Sequence, residues 1–238
     1  MTKFKLSPSY QEIDAIINFL GYGNPFAPVW FIGFEEGLGD MNSEDAIENC
    51  KSRGTFSSVM DLHAAHLLLR QGGQPIDLEK RPPRTQVWRF IAKIMLARQG
   101  HESWHTTEAA KDYVRFCLGR KDRDTFLTEL SPIPASRTTD LDWMTRFAEL
   151  DDNLAVKIQR RKNTLKQLLK ENTPSLIICY GRKRGDEFAS LLDLEWERVS
   201  NQISKSRDSK CLLLPFFGNG QMSRSVIDDL IANKLLNW

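Results

Sequence analysis

The sequence lacks any apolar run of about 18 residues, the length that a membrane-spanning helix needs. Its N-terminal segment also lacks the apolar core of a signal peptide. The four cysteines form no CxxC pair, and Cys179 and Cys211 lie in apolar segments, where cysteine usually behaves as a small hydrophobic residue. We therefore expect a reduced, cytoplasmic protein that has no membrane partner.

Several signatures of catalysis are missing as well. The sequence has no GxxxxGK[ST] phosphate loop, no GxGxxG turn after a strand and no GxSxG elbow. Its four histidines, at positions 63, 66, 101 and 105, have no cysteine nearby that would complete a zinc site. These absences give no support to P-loop or acyl-transfer chemistry, and we expect neither a metal nor an organic cofactor.

The composition is that of a globular protein, since 41% of the residues are hydrophobic and 27% are charged. The formal net charge of +2 neither requires nor excludes a nucleic-acid partner. No repeat, low-complexity tract or linker divides the 238 residues, so we expect a single domain over 1–238.

Short apolar segments predict the strands of the fold. They cover residues 28–33, 125–133, 175–180 and 211–217, and helical periodicity fills the sequence between them, most clearly over 86–98. Buried strands that alternate with helices are typical of a parallel sheet with helices on both faces. The sequence therefore predicts an α/β fold with a mostly parallel, four-stranded central sheet.

Ligands of such sheets bind at the carboxyl ends of the strands, which directs attention to the loops at 33–40, 129–137, 181–187 and 215–224. Gly33 and Phe34 precede two adjacent acids, Glu35 and Glu36. Such a pair suits a general base or a hard cation, and it equally suits the cap of a following helix. Glu129 either points into the cleft or is the outward residue of an alternating strand.

Two further segments are open to two interpretations. The last loop, at 215–225, carries small hydrogen-bonding residues and Arg224 at the start of a helix, which can hold a phosphate or simply cap that helix. The basic helix over 156–171 either follows a phosphate backbone or presents a solvated face.

The order of these loops resembles that of the uracil-DNA glycosylase superfamily, whose fold is a three-layer αβα sandwich with a parallel sheet. Residues 33–37 are similar in spacing and setting to the first motif of that family, written G-x-x-P-G or G-Q-D-P-Y, and Glu36 replaces the usual proline. Glu129 stands where the family often places the asparagine that reads the base. The final motif of the family contains a histidine that stabilises the departing base, whereas the segment 212–218 contains none.

The resemblance implies a DNA glycosylase-like hydrolase that flips a damaged or modified base into a cleft, with DNA as its partner. Glu35, or secondarily Glu36, would activate the attacking water, and Glu129 would read an amino group of the base. Phe56 would stack on the base or, alternatively, pack at a helix start. The resemblance implies these substrate-binding residues: Gly33, Phe34, Phe56, Glu129, Phe216 and Asn219. It implies these nucleic-acid-binding residues: Gly218, Gly220, Ser223 and Arg224.

Two other functions stay open at this point. A nucleoside or nucleotide hydrolase would use the same acids on a small molecule and would show little dependence on salt. A non-catalytic nucleic-acid-binding module would keep the fold and release no base. Whether the chain is an enzyme is therefore left open by the sequence.

Overall fold

A computed structural model describes residues 6–37, 42–82, 85–135, 143–208 and 210–236. Within these ranges the α-helices are α1 (Tyr10–Asn18), α2 (Ser43–Arg53), α3 (Leu62–Leu68), α4 (Gln86–Arg98), α5 (Thr107–Phe116), α6 (Trp143–Leu150), α7 (Leu154–Asn172), α8 (Gly185–Leu192) and α9 (Arg224–Ala232). None of these helices combines the length and the apolar composition that crossing a bilayer requires.

The strands form one large sheet and a small hairpin. In the same ranges they are β1 (Gly21–Gly23), β2 (Val29–Gly37), β3 (Val59–Met60), β4 (Arg70–Gln71), β5 (Gln74–Pro75), β6 (Thr125–Ala135), β7 (Leu176–Tyr180), β8 (Glu197–Arg198), β9 (Ser204–Lys205) and β10 (Cys211–Leu214). The large sheet has the order β3-β1-β6-β2-β7-β10-β9-β8, and β4 pairs with β5 alone.

The α/β class is confirmed, but the prediction of a mostly parallel sheet of four strands is wrong. The four predicted strands are the parallel centre, β6-β2-β7-β10, of a mixed sheet of eight strands. β1 and β9 add antiparallel pairs on the two sides of this centre, with β3 and β8 at the edges. These outer strands have two or three residues each, too few to show the alternation by which a strand is recognised.

The centre of the sheet is apolar on both faces, as expected for strands covered on both sides. Phe31 of β2 and Ile178 of β7 belong to one buried cluster together with Ile91 of α4 and Val226 of α9. Trp30 and its neighbours on the other face form a second cluster with α7 and α8. The described residues thus form three layers, with helices on both faces of the sheet.

Two glycines allow β1 to lie close to β6. Gly21 and Gly23 have φ angles of 155° and 99°. A Cβ atom would lie 2.2 Å from the carbonyl oxygen of Leu127 at the first position and 2.3 Å from that of Thr125 at the second. A side chain at either position would therefore push β1 away from the sheet.

The order of the parallel strands places a switch point at β2. The chain passes from β2 to β6 on one side and then returns across β2 to β7 on the other. In open α/β sheets such a reversal leaves a crevice at the carboxyl ends of the strands, where ligands bind. The acids predicted from the sequence lie within these strands, Glu35 and Glu36 near the end of β2 and Glu129 in β6.

Candidate functional site

Glu129 is the central polar residue at the carboxyl edge of the sheet. It lies on β6 opposite Gly33 of β2, and its side chain is partly buried. The Tyr180 hydroxyl, at the end of β7, donates a hydrogen bond of 2.7 Å to Oε1 of Glu129. The second carboxyl oxygen, Oε2, is buried and has no hydrogen-bond partner among the described residues. A buried oxygen that makes no hydrogen bond is costly, so Oε2 is a place where a ligand atom can bind.

The absence of a side chain at Gly33 makes room for this carboxyl group. A Cβ atom at Gly33 would lie 1.9 Å from Oε2 of Glu129 and 2.5 Å from the Tyr180 hydroxyl. Side chains alternate along a strand, so Glu129 shares the face of Leu127, which belongs to the same buried cluster as Tyr180. The alternation therefore turns Glu129 toward the face of the sheet that α4 and α9 cover.

Burial raises the pKa of Glu129 to about 8, because a charged carboxylate is poorly solvated there. The hydrogen bond from Tyr180 acts in the opposite direction, and the charges of Glu36 and Glu35 raise the pKa further. Burial and the neighbouring Glu129 raise the pKa of Tyr180 well above its ordinary value, so Tyr180 remains a donor. At neutral pH Glu129 is consequently a neutral acid that can donate a proton.

Arg161 of α7 holds the backbone on which Glu129 sits. Its Nη1 donates to the carbonyl oxygens of Glu129 and Leu130 at 2.7 and 3.2 Å, and its Nε donates to that of Phe19 at 3.2 Å. Burial lowers the pKa of Arg161 to about 10. Arg161 is only 3% exposed, so the solvated-face interpretation of the basic helix is wrong for this residue. Its guanidinium instead binds the backbone of β6 at Glu129.

Glu36 and Glu35 are in different surroundings although they are adjacent. The guanidinium of Arg53, on α2, donates two hydrogen bonds, of 2.9 and 2.8 Å, to the carboxylate of Glu36. Burial would raise the pKa of Glu36, but the guanidinium outweighs it and the pKa is lowered. Glu35 is exposed and pairs in register with Ser131 of β6. Of the two acids, Glu35 is the one that can meet a substrate or a water molecule.

Two neutral side chains pack beside the Arg53–Glu36 ion pair. The rings of Tyr22 and His66 are 5.7 Å apart. Burial lowers the pKa of His66 to about 4, and its Nδ1 lies 2.8 Å from the carbonyl oxygen of Leu62. Burial and the nearby Glu36 raise the pKa of Tyr22. Neither group brings a further charge to the site at neutral pH.

Two aromatic rings pack against Tyr180, and Phe34 lies against the buried cluster on the other face of the sheet. Phe217 stacks on Tyr180 at 4.7 Å and 14°, and the partly buried Phe216 lies 6.5 Å from the same ring at 29°. Phe34 is partly buried beneath the guanidinium of Arg184, which lies 4.0 Å from the ring centroid. Of these rings, the partly buried Phe216 lies on the face of Glu129 and can stack on a planar ligand.

Phe56 does not share this position. It is 7% exposed within the core, with its ring 5.4 Å from that of Phe19 and the Arg53 guanidinium 6.0 Å above it. The structure therefore supports the packing role that the sequence left open for Phe56, rather than stacking on a base.

The last loop is largely exposed. Asn219 has a φ of 53°, Gly220 a φ of 68°, and both are open to solvent. Ser223 precedes α9 without a side-chain capping bond, and its hydroxyl lies 2.8 Å from that of Ser225. Gly218 is buried, and a Cβ atom there would lie 2.5 Å from the Phe216 ring. This loop therefore adjoins Phe216, one of the rings that pack against Tyr180.

Sequence reasoning missed five residues of this site, which are Tyr22, Arg53, His66, Arg161 and Tyr180. Tyr180 had the clearest signal, since it is the one hydroxyl-bearing residue in an otherwise apolar strand just before a glycine. The others lie far away in the sequence, and only the sheet order and the helix packing bring them together.

A separate depression of about 570 Å³ lies at the other end of β6. Arg123 and Asp124, which line it, come directly before the first residue of that strand. It is therefore not part of the cluster around Glu129. In the described ranges no three histidine, cysteine, aspartate or glutamate side chains are grouped so that they could hold a metal ion.

No protein-family model, no curated protein and no solved structure matches this chain. The resemblance to the glycosylase superfamily thus stays a prediction, and a functional proposal has to rest on the geometry around Glu129.

Proposed function

We propose that the protein hydrolyses N-glycosidic bonds of nucleotides whose base enters the cleft around Glu129. The observation that carries the proposal is the Glu129 carboxyl group: one oxygen accepts a hydrogen bond from Tyr180, the other has no partner in the described ranges, and burial raises the pKa to about 8. Pairs of carboxyl groups in unlike surroundings are the usual acid and base of glycoside hydrolysis. Glu35 is the exposed acid that completes the pair.

Each group has a defined part in the reaction. Glu129 donates its proton to a nitrogen or carbonyl oxygen of the base as the bond from the sugar carbon to that base breaks. Glu35 accepts a proton from a water molecule as the water oxygen bonds to the same sugar carbon. The two protons re-equilibrate through solvent after the base leaves, so the enzyme returns to its starting state without any cofactor.

This assignment changes the role that the resemblance implied for Glu129. An ionised carboxylate would accept a hydrogen bond from an amino group, whereas a neutral acid that already accepts from Tyr180 offers a donor. A donor suits a carbonyl oxygen or an unprotonated ring nitrogen of the base. In our proposal Glu129 and Tyr180 supply the polar contact to the departing base that a histidine supplies in the glycosylase superfamily.

A base-release assay tests the proposal. Single- and double-stranded oligonucleotides that carry uracil, hypoxanthine, xanthine or modified cytosines are incubated with the native protein, and abasic sites are scored by alkaline cleavage. The variants are Glu35→Gln and Glu129→Gln, and the control is Glu48→Gln, an exposed acid that pairs with Lys51 on α2.

We expect release by the native protein and the Glu48 variant, and a loss of at least ~100-fold in each site variant. Absence of release from every oligonucleotide and from the matching nucleotides would contradict the proposal. Release that survives in Glu129→Gln would overturn the role of that acid.

A further inference from the structure

A group of cations lies next to the site, on α4 and at the start of α9. The Phe90 ring of α4 lies 6.3 Å from that of Phe217, which stacks on Tyr180. Trp88, also on α4, contacts His66, and their ring centroids are 4.9 Å apart. The first half of α4 therefore borders the cluster around Glu129.

Three cationic side chains lie on the two helices of this border, α4 and α9, which pack in one buried cluster. Arg89 and Lys93 are four residues apart and so share one face of α4. Arg224 is the first residue of α9, which follows the carboxyl end of β10. Burial and the charges of Arg89 and Arg224 lower the pKa of Lys93.

Among the described residues, the charged groups that act on Lys93 are the cations Arg89 and Arg224. The Nε of Arg224 lies 3.7 Å from Asp228, but its side chain remains 64% exposed. Like charges held together in a fold repel one another, and an anion bound between them relieves that repulsion. An anion at this border would therefore be attracted by cations on both helices.

The other groups at this border suit a phosphate chain rather than a lone ion. The Arg224 guanidinium lies 5.6 Å over the ring of Trp104, which leaves the other side of the guanidinium free of that ring. The exposed hydroxyls of Ser223 and Ser225 adjoin it in sequence and are hydrogen-bond donors. Cations from two helices with neighbouring hydroxyls form an extended surface instead of a closed cavity.

We propose that Arg89, Lys93 and Arg224 bind the phosphodiester backbone of a nucleic-acid strand beside the nucleotide whose base enters the cleft. The inference rests on the proposed function, because it names a polynucleotide, not a free nucleoside, as the substrate of that site. Backbone contacts of this kind position the strand and carry no sequence information.

Binding of an undamaged, fluorescein-labelled oligothymidylate, measured by anisotropy from about 50 to 250 mM salt, tests the inference without any need for catalysis. The site variant is Lys93→Gln with Arg224→Gln. Its control is Arg160→Gln with Lys170→Gln, which removes the same charge from exposed positions of α7 on the other face of the sheet. Thermal unfolding of both variants checks that they remain folded.

We expect the site variant to bind about tenfold more weakly at low salt, and its slope of log K against log salt to be shallower by about 1.4, since each phosphate contact on a single strand contributes about 0.7. The control should behave as the native protein does. Equal losses in both variants, or none in either, would overturn the inference. Displacement of the oligonucleotide by millimolar inorganic phosphate would also overturn it, because a site for single phosphates explains that result.

The two proposals fail in different ways. If base release is absent while the site variant alone loses binding, the phosphate site stands and the hydrolase does not. If the native protein releases a base while the site variant binds the oligonucleotide as tightly as the native protein does, the hydrolase stands and the polynucleotide site does not.

Discussion

At the scale of the residue, the side chain of Glu129 is acted on by opposing influences. Burial and two neighbouring acids favour its neutral form, whereas Tyr180 and Arg161 favour the carboxylate. The outcome, a pKa of about 8, shows that desolvation is the larger influence. An acid of this kind keeps its proton at neutral pH and can therefore give it to a leaving group.

The pKa of Glu129 makes the stability of the fold depend on pH. Between about pH 4.5 and 8 the native state keeps this proton while the unfolded state loses it, so native stability should fall as pH rises through that window. Relative to Glu129→Gln, which does not titrate, we expect the native protein to lose a few kcal/mol and then to level off above pH 8. Urea unfolding of both proteins at pH 5, 7 and 9 measures this difference, and parallel pH curves would contradict the assignment.

Gly33 should tolerate no side chain, because a Cβ atom would meet Oε2 of Glu129 at 1.9 Å. We expect Gly33→Ala to destabilise the protein by about 1–3 kcal/mol, as forced contacts in packed regions do. Gly37→Ala is the matched control at the end of the same strand, where a Cβ atom has no neighbour within 4 Å in the part of the chain that the structure describes. In a Glu129→Ala background the cost at Gly33 should shrink, and a double-mutant cycle in urea measures the coupling. An undiminished cost would show that Glu129 is not what excludes the side chain.

The residues of the site were partly readable from the sequence. Gly33, Glu35 and Glu129 stand out because each is a small or acidic residue at the end of an apolar strand. That Glu129 bonds to Tyr180 was not readable, since this depends on β2 lying between β6 and β7 and on the register of both pairs. Register and strand order are set by packing over the whole sheet, not by the local sequence.

At the scale of the element, the Arg53–Glu36 ion pair fastens α2 to the end of β2. The two side chains are 6% and 27% exposed, so removing one partner leaves a poorly solvated charge. We expect Arg53→Met to cost about 2–4 kcal/mol and the added change Glu36→Gln to restore part of it. Lys51→Gln breaks an exposed pair on the same helix and should cost at most ~0.5 kcal/mol. Urea midpoints measure all three, and equal costs for Arg53→Met and Lys51→Gln would contradict this role.

The elements themselves were predicted unevenly. The four central strands and α4 were found because their apolar patterns are long, and α4 was predicted with its observed bounds. The sequence predicted a loop from residue 34 onward, yet β2 continues to Gly37 because β6 provides a partner up to Ala135. The hairpin of β4 and β5 was not predicted, since two-residue strands exist only through their pairing.

At the scale of the whole molecule, the three layers bury most of the thiol groups. Cys50, Cys179 and Cys211 are buried, and Cys117 is partly exposed. Burial raises the pKa of Cys50 and Cys211 to about 12 and that of Cys179 well above its ordinary value. Thiols react as thiolates, so these three should react only when the fold opens.

Labelling with a chromogenic disulfide reagent at pH 8 should therefore modify Cys117 alone in the native protein, and all four thiols in guanidinium chloride. Cys117→Ser should abolish the native-state reaction. Rapid modification of two or more thiols in the native protein would contradict the burial described for the sheet and its covering helices.

The most direct measurement is the titration of Glu129 itself. In a protein labelled with carbon-13 at the glutamate carboxyl groups, the Glu129 signal is identified by its absence from the Glu129→Gln variant, and its chemical shift is followed from pH 3 to 10. We expect a midpoint near pH 8 that moves higher in Tyr180→Phe, because the lost hydrogen bond had favoured the carboxylate. A midpoint near 4.5 would show that Glu129 is ionised at neutral pH, and it could not then serve as the proton donor.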